Sequence, residues 1–460
     1  MSMATNYLPE VREQYEEFPY PERNPADEIK QFWSTYLSRL DAVNHFCHRG
    51  RQDFNNFRAL IAGGGTGDNA ISWAEQLKDK ENCEVVYLDM STASTNIAKK
   101  RAAVRKLTDI RWINDSILNI PDLGLGQFDH IDCAGVLHHL ADPDAGLKAL
   151  VSVLKPNGAM SLMVYAPYGR TGIYVIQNLM RLVNGEEENP RQKIKNTKAV
   201  LESLPIYHTY KIARQLKTLT YNDEANAAGV YDMFLHTQDR AYTILEVHDW
   251  LERCGLQMAG EPGNCYIQEE YLPETHIKDK NLLKIIKGYP LKVQQAIGEA
   301  IANRIAKHEF YAAHKAAGNT VARITDRDLV LCKGMSNQIS FEDLAALVVK
   351  HRDSFTVTLG NDKGGSETKI YVPKGKFIQQ LLRQIDGKRT VGEIIEAVRN
   401  GEGFDKGKKD EETLLLQDLE SLFVSLNRGY AAFLRAKSVA PFTGLQEIQD
   451  RLIRNQVRRH

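Results

Sequence analysis

The sequence RALIAGGGTGDNA, residues 58 to 70, decides the fold, because an apolar strand enters a glycine-rich turn and leaves it as a helix. The strand is predicted over Ala59 to Ala62 and the turn over Gly63 to Gly67. Glycines let the backbone approach a ligand closely, and the N-terminus of the next helix attracts anionic or polar groups. The pattern therefore predicts a nucleotide-binding loop in an α/β sheet.

A second predicted strand, Glu84 to Leu88, ends in Asp89. A carboxylate at this edge of an open α/β sheet can accept hydrogen bonds from both hydroxyls of a ribose. Further strands are predicted near residues 110–113, 129–134 and 159–165, with helices between them. This alternation predicts a doubly wound, mostly parallel sheet that binds an adenosine-type ligand.

The glycine spacing distinguishes between adenosine cofactors. The dinucleotide fingerprint GxGxxG would need glycine at position 68, which is Asp68, whereas Gly63, Gly65 and Gly67 fit GxGxG. A nicotinamide or flavin dehydrogenase is therefore the less favoured alternative.

Two later blocks extend the pattern: LHHLADPD at residues 137–144 and LKPNG at residues 154–158. With the glycine loop and Asp89, they resemble the class I S-adenosylmethionine-dependent methyltransferases, specifically the type 11 and type 12 domains. The resemblance implies a Rossmann-like fold, S-adenosylmethionine as the cofactor and methyl transfer as the reaction. The sequence departs from the family pattern at Ile61, where many members carry an acid, and at Asn157, which replaces a glycine. These departures leave a non-catalytic cofactor-binding scaffold protein as a second alternative.

The predicted cofactor contacts follow the first three strands. They are Gly63, Gly65 and Gly67 for the loop, Asp89 for the ribose, and Met90 and Asp115 for the adenine. The alternatives are structural: a tight turn for the glycines, a helix N-cap for Asp89 and a loop cap for Asp115.

Three residues are catalytic candidates. Methyl transfer from a sulfonium requires mainly that the nucleophile be aligned and water be excluded, so no fixed catalytic set is expected. His138 and His139 follow the fourth strand at the edge where ligands bind, and a neutral imidazole there could accept a proton from the incoming nucleophile. Tyr165 ends the fifth strand. The alternatives are a histidine that fixes the loop and a tyrosine in the core, and no metal site is expected.

A further group of aromatic and basic residues is predicted to bind the substrate. Its members are Tyr20, Tyr168, Arg170, Arg240 and Tyr242. Tyrosine hydroxyls and arginine forks are suited to holding a carboxylate or carbonyl group. Tyr20 belongs to an aromatic-proline cluster that forms either a lid or a clasp in a surface groove, and Arg240 has the alternative of an ion pair with Asp239.

The composition limits the partners. Lysine plus arginine and aspartate plus glutamate both number 59, so no overall charge attracts nucleic acid, which is an unlikely partner. Six cysteines without a CxxC pair, and an N-terminus without a basic-then-apolar pattern, favour the reducing cytoplasm. The chain has no apolar run long enough to span a bilayer, so no membrane association is expected.

The domain organisation is predicted in four parts. These are a lid or helical segment at 1–57, the methyltransferase domain at 58–265 with an insertion at about 167–240, a helical connector at 266–320, and a second α+β domain at 321–460. Prolines at positions 9, 19, 21 and 25 are predicted to prevent a continuous helix until about Asp27, and one amphipathic helix is predicted from Glu28 to Phe46.

The second domain bears on the acceptor. The segment LLRQIDGKRTVGEIIEAV, residues 381–398, resembles winged-helix modules appended to peptide- and protein-modifying enzymes. Because positioning a metabolite does not require such a domain, a protein or peptide acceptor is favoured over a small molecule. A quinone, lipid or polyketide-like acceptor would instead predict a deep apolar pocket under the insertion.

Overall fold

The structure, a computed structural model, describes residues 9–216, 219, 225–264, 267–335, 339–351, 353–359 and 368–457. Cys265, the turn predicted at residues 361–365 and the last three residues lie outside this set. The chain divides into two compact units. The first comprises Met1–Thr35, Asn56–Met258 and Glu270–Ala317, and the second comprises Tyr36–Asn55, Ala259–Glu269 and Gly318–His460.

The first unit is built on a seven-stranded sheet. Its strands are β1 (Arg58–Ala62), β2 (Glu84–Asp89), β3 (Ile110–Asn114), β4 (Phe128–Ala134), β5 (Leu154–Tyr165), β6 (Leu256–Ala259) and β7 (Lys307–His314). Their order is β3-β2-β1-β4-β5-β7-β6, in which β1 to β5 pair in parallel and β7 is antiparallel to β5. The predicted doubly wound, mostly parallel sheet is confirmed.

Helices cover the sheet of the first unit, and further helices belong to the second unit. They are α1 (Pro9–Glu17), α2 (Leu40–Cys47), α3 (Asp68–Leu77), α4 (Thr92–Val104), α5 (Pro143–Ser152), α6 (Thr171–Asn184), α7 (Pro190–Ser203), α8 (Thr209–Gln215), α9 (Ala227–Phe234), α10 (Ile244–Arg253), α11 (Pro273–His276), α12 (Lys280–Ile286), α13 (Leu291–Ala302), α14 (Phe341–Lys350), α15 (Ile378–Gln384), α16 (Val391–Arg399), α17 (Glu411–Arg428) and α18 (Leu445–Val457). Local signals set several boundaries: Ser91 caps α4, Asp142 caps α5, and Thr243 forms a capping box with Glu246 at α10.

The prediction of one amphipathic helix from Glu28 to Phe46 is wrong. The chain forms two short 3-10 turns there and becomes α-helical only in α2. The boundary between the two units falls between Thr35 and Tyr36. The apolar residues have helical spacing, but they pack against different elements; the Phe32 ring, for example, lies 4.7 Å from the Arg105 guanidinium. The helical spacing of the apolar residues between Glu28 and Phe46 therefore does not correspond to the buried face of one helix.

The prediction that prolines prevent a continuous helix until about Asp27 is confirmed, because α1 begins at Pro9 and ends at Glu17. A proline is tolerated in the first helical turn, where its missing N–H would have no intrahelical partner. The next proline, Pro19, follows the end of the helix at Glu17.

The connector predicted as helical from Leu282 to about Ala317 contains a strand. Helices α12 and α13 are present, but β7 follows them and enters the sheet between β5 and β6. Six consecutive residues of β7, His308 to Ala313, are buried. A strand buried on both faces has no alternation of polar and apolar residues, so its pattern resembles that of a buried helix.

The second unit has its own core. Strands β9 (Phe355–Leu359) and β10 (Thr368–Val372) pair as an antiparallel hairpin, and β8 (Leu329–Lys333) pairs antiparallel with β11 (Ala432–Ala436). Helices α14 to α17 and the two pairs of strands agree with the α+β class predicted for this domain, and its winged-helix character stays a prediction. Fully buried side chains from β8, β10, β11 and α14 to α17 form the core: Leu329, Leu344, Val372, Leu381, Ile394, Leu415, Leu422 and Leu434.

Across the described ranges, we find no helix that is both long and apolar enough to cross a membrane. The cytoplasmic location stays a prediction.

Candidate functional site

A cavity of about 470 Å³ lies in the first unit, where β1, β2, β4 and β5 end. Most of the predicted site residues line it: Tyr20, Gly63, Gly65, Asp89, Met90, Asp115, His139, Tyr165 and Arg170. The others, Gly67, His138, Tyr168, Arg240 and Tyr242, are not among the residues that line it.

The glycine loop forms one wall of the cavity. The N–H of Gly63 donates to the carbonyl of Leu88 at 2.8 Å, which fixes the loop to β2. Gly63 has a φ of +74°, and a Cβ there would lie 2.4 Å from a methyl of Val136. Gly65 has a φ of +51°, and a Cβ there would lie 2.7 Å from the carbonyl oxygen of Tyr20. Both positions therefore require glycine, and the bare backbone at the wall leaves room for a ligand.

Gly67 does not line the cavity but packs against α4, and its role in the cofactor loop stays a prediction. Its φ is +103°, and a Cβ there would lie 2.8 Å from the Cβ of Ala98 in α4. The absence of a side chain thus allows α3 and α4 to pack closely behind the loop.

Asp89 is held in place by backbone donors. Its Oδ2 accepts from the N–H of Gly65 at 2.7 Å, and its Oδ1 accepts from the N–H of Ser91 at 2.8 Å. Desolvation raises the pKa of Asp89 to about 6 despite these two bonds, so the group is ionised at neutral pH. Each carboxylate oxygen keeps lone pairs for another donor, and this fits the two hydroxyls of a ribose.

This pKa leads to a prediction for ligand binding. Affinity for S-adenosylhomocysteine should fall about tenfold between pH 7.5 and pH 5, because protonation removes the carboxylate that accepts from the ribose. The test is calorimetric titration across that range, with Asp89→Ala as the control. The variant should show a smaller pH dependence; equal slopes for both proteins would contradict the assignment.

Asp115 and Met90 lie on the same side of the cavity. Oδ1 of Asp115 accepts from the N–H of Ser116 and from Nδ2 of Asn119, each at 2.7 Å. The Asp115 carboxylate therefore caps its own loop through Oδ1, which agrees with the loop-cap alternative considered for this residue. Its Oδ2 accepts neither of these two hydrogen bonds. The role of both residues toward an adenine stays a prediction.

The two histidines occupy different environments. Nδ1 of His139 donates to the carbonyl of Gln238 at 2.8 Å, so in the neutral ring Nε2 carries the lone pair. His138 is fully buried, and neither ring nitrogen has a hydrogen-bond partner within the described part of the chain. Desolvation lowers the pKa of His138 well below its usual value. Of the two, His139 is the one placed to accept a proton from a molecule in the cavity.

Two tyrosines meet a buried carboxylate beside His139. The hydroxyl of Tyr15 donates to Oδ1 of Asp232 at 3.0 Å, and the hydroxyl of Tyr165 donates to Oδ2 at 3.3 Å. Desolvation raises the pKa of Asp232. Tyr165 also carries the Arg170 guanidinium 3.5 Å above its ring. Asp232 was not predicted as a site residue, although it is the one charged residue in the apolar segment AAGVYDMF (227–234), which signals a buried role.

Three side chains near one another, those of His139, Asp232 and His236, could approach a metal ion. Ligand atoms of His139, Asp232 and His236 lie within 4.8 Å of one another. However, the N–H of Gln238 donates to Nδ1 of His236 at 3.1 Å, so the proton of the neutral ring lies on Nε2. That nitrogen faces the Tyr15 oxygen at 3.3 Å. The hydrogen-bond pattern thus favours a polar network over metal coordination, and the expectation of no metal stays a prediction.

The N-terminal segment lies on the cavity rim. The N–H of Thr66 donates to the carbonyl of Tyr20 at 3.3 Å. The Glu16 carboxylate accepts from the N–H groups of Thr92 and Ala93 at 2.7 and 2.9 Å, which caps the N-terminus of α4. Tyr15 and Tyr20 both line the cavity. These contacts fit the predicted lid, and the role of Tyr20 toward a substrate stays a prediction.

The remaining substrate candidates, Tyr168, Arg240 and Tyr242, do not line the cavity, and their role toward a substrate stays a prediction. The Arg240 guanidinium lies 4.6 Å from the Tyr242 ring, which in turn stacks on Trp250 at 5.1 Å. The ion pair considered between Asp239 and Arg240 is not the one formed, since Asp239 pairs with Arg170 at 3.3 Å.

Comparison with known proteins gives consistent results. Residues 60–160 match the family described as a methyltransferase domain. An uncharacterized protein of Synechococcus sp. is 28% identical over 248 residues, which cover 54% of this chain and 58% of that protein. The tRNA 5-carboxymethoxyuridine methyltransferase of Escherichia coli (strain K12) is 34% identical over 113 residues, 24% of this chain and 41% of that enzyme. The matches therefore span about two fifths to three fifths of these relatives.

Among solved structures, PKMT2 from Rickettsia typhi has a similar fold. The TM-score is 0.60 at 15% sequence identity, over 88% of this chain and 77% of PKMT2. Its complex with AdoHcy matches with a TM-score of 0.59 at 15% identity, over 87% of this chain and 76% of that one. Residues 60–160 thus match a methyltransferase domain, and the chain shares the fold of PKMT2.

Proposed function

We propose that this chain, whose first unit contains a methyltransferase domain that takes S-adenosylmethionine, transfers a methyl group to a protein or peptide. One observation carries the proposal for the reaction. The glycine loop, Asp89 and His139 line the same cavity. Nδ1 of His139 is bonded to the backbone carbonyl of Gln238, so in the neutral ring the lone pair lies on Nε2. A cofactor cradle and a proton acceptor are thus present in one space.

The residues of the cradle suit the cofactor. Gly63 and Gly65 leave the wall bare, Asp89 offers its oxygens to the ribose, and Met90 and Asp115 lie where the adenine would be held. When bound, S-adenosylmethionine supplies an electrophilic methyl group on a sulfonium with a neutral leaving group.

The acceptor side is formed by His139, Asp232 and the two tyrosines. His139 takes a proton from the acceptor atom through Nε2, while its Nδ1 stays bonded to the carbonyl of Gln238. The Asp232 carboxylate lies near His139 and stabilises the charged imidazole that results. Tyr15 and Tyr165 hold that carboxylate, and the N-terminal segment limits the access of water.

Two observations bear on the acceptor class. In the described part of the insertion, Ile173, Ile176 and Phe234 are buried in an apolar core and do not line the cavity, so they do not form the apolar pocket that a quinone or lipid would need. We propose that the second unit is a winged-helix-like domain that recruits the substrate. Such a domain favours a macromolecular acceptor. A small polar molecule is the alternative, because the acceptor side of the cavity is lined by Arg170 and Asp232.

The first test is cofactor binding. S-adenosylhomocysteine should bind the purified chain with micromolar affinity in calorimetry, and Asp89→Ala should weaken it tenfold or more, about 1.4 kcal/mol or greater. NAD is the competitor ligand and should not bind. Absence of S-adenosylhomocysteine binding would overturn the proposal, whereas binding without methyl transfer to any acceptor would favour the cofactor-binding scaffold.

The second test concerns the acceptor. Radiolabelled methyl groups from S-adenosylmethionine, added with the full chain to cell extract, should appear in the protein fraction. Label found only in the small-molecule fraction would overturn the macromolecular part of the proposal and leave the reaction class intact.

A further inference from the structure

The buried carboxylate of Asp132 lines the cavity without a cationic partner. Asp132 lies in β4 and is 1% exposed. Its Oδ1 accepts from Nδ2 of Asn69 at 2.8 Å and its Oδ2 accepts from Nε1 of Trp73 at 3.0 Å. Both donors are neutral. Within the described residues, no lysine, arginine or histidine forms an ion pair with this carboxylate.

The cationic side chains of the cavity wall are paired with other acids. Arg23 pairs with Asp68 at 2.7 Å. Arg170 pairs with Asp239 at 3.3 Å, and Lys307 pairs with Glu309 at 3.0 Å. An unpaired buried carboxylate is costly, and desolvation accordingly raises the pKa of Asp132 to about 6. At neutral pH the group is still mostly ionised, so a cation that entered the cavity would gain a strong partner.

The position of Asp132 identifies which part of a ligand it faces. Asp132 is paired in register with Ile61 of β1, two residues before the glycine loop, and both residues line the cavity. Asp89, at the end of β2, lies on the other side of β1 from β4. A ligand whose ribose is held at Asp89 therefore presents its opposite end toward β4.

We infer that Asp132 binds the ammonium group of the methionine portion of S-adenosylmethionine. This inference rests on the proposed function. The carboxylate keeps lone pairs beyond those used by Asn69 and Trp73, and an ammonium group offers three donors. The apolar side chain of Ile61 cannot supply this contact, whereas its neighbour in the sheet can.

The test compares two ligands that differ at this end. S-adenosylhomocysteine carries the amino acid portion, and 5′-methylthioadenosine lacks it. In calorimetry, Asp132→Asn should weaken the first tenfold or more and change the second by less than about threefold. The control is Asp115→Asn, which faces the adenine side and should leave the ratio of the two affinities unchanged.

The outcomes separate the two proposals. If the wild-type chain binds neither ligand, the proposed function fails. If it binds both and Asp132→Asn leaves their ratio unchanged, the assignment of Asp132 is wrong. Should the variant not fold, the wild-type chain is titrated with a third ligand, S-adenosylhomocysteine from which only the amino group has been removed. The wild-type chain must bind S-adenosylhomocysteine at least tenfold more tightly than this ligand, and equal affinities would overturn the inference.

Discussion

Replacing His139 by asparagine should lower the rate of methyl transfer by about 10² to 10⁴, the usual contribution of a positioned general base. The asparagine amide can take the place of Nδ1 and donate to the carbonyl of Gln238, so the loop should keep its conformation. The lone pair of Nε2 is lost. Single-turnover rates with saturating S-adenosylmethionine measure the effect, and affinity for S-adenosylhomocysteine should change little.

The matched control for this variant is His138→Asn. His138 is fully buried and does not line the cavity, so its replacement should reduce stability while the single-turnover rate stays within about threefold of the wild-type rate. If both variants lost the same activity, or if His139→Asn retained it, His139 would not be the base.

Replacing Glu28 by alanine should cost about 3 to 5 kcal/mol of unfolding free energy in the first unit, because it leaves buried arginines without their shared carboxylate. Glu28, Arg101 and Arg105 are each no more than 1% exposed. Oε1 of Glu28 accepts from Nε of Arg101 at 2.6 Å, and its Oε2 is bonded to Nε of Arg105. Denaturant titration followed by circular dichroism should show an earlier transition.

The control for Glu28 is Lys292→Ala, which removes a pair at the protein surface. Lys292 lies 2.8 Å from Asp249, with the two side chains 31% and 50% exposed. Water screens such pairs, so the transition should hardly move. If both variants shifted the unfolding transition equally, burial would not determine how strongly the ion pairs of Glu28 with Arg101 and Arg105 stabilise the protein.

The parts of the fold that follow from local sequence were predicted correctly. The strand, glycine loop and helix around residues 58–77 form in the expected order, since the chemistry of the turn and the apolar run lie within one short segment. Asp89 lines the cavity for the same reason: its position depends only on the end of β2.

The parts that depend on distant contacts were not predicted. Tyr15 and Asp232 are 217 positions apart and meet only because α1 and α9 border the same cavity. Nothing in the local pattern of either segment encodes the other. Similarly, β7 lies far along the chain from its partner β5, and its buried sequence lacks the alternation that identifies a strand.

The position of β7 has a consequence for synthesis on the ribosome. The strand order places residues 307–314 between β5, which ends at Tyr165, and β6, which ends at Ala259. A nascent chain that has emerged only as far as residue 265 therefore holds every cavity residue except Lys307, while the edge of β5 has no partner on that side. Such an edge invites pairing with other chains. The sheet of the first unit is thus complete only after about two thirds of the chain has been translated, and the edge of β5 is exposed to other chains until then.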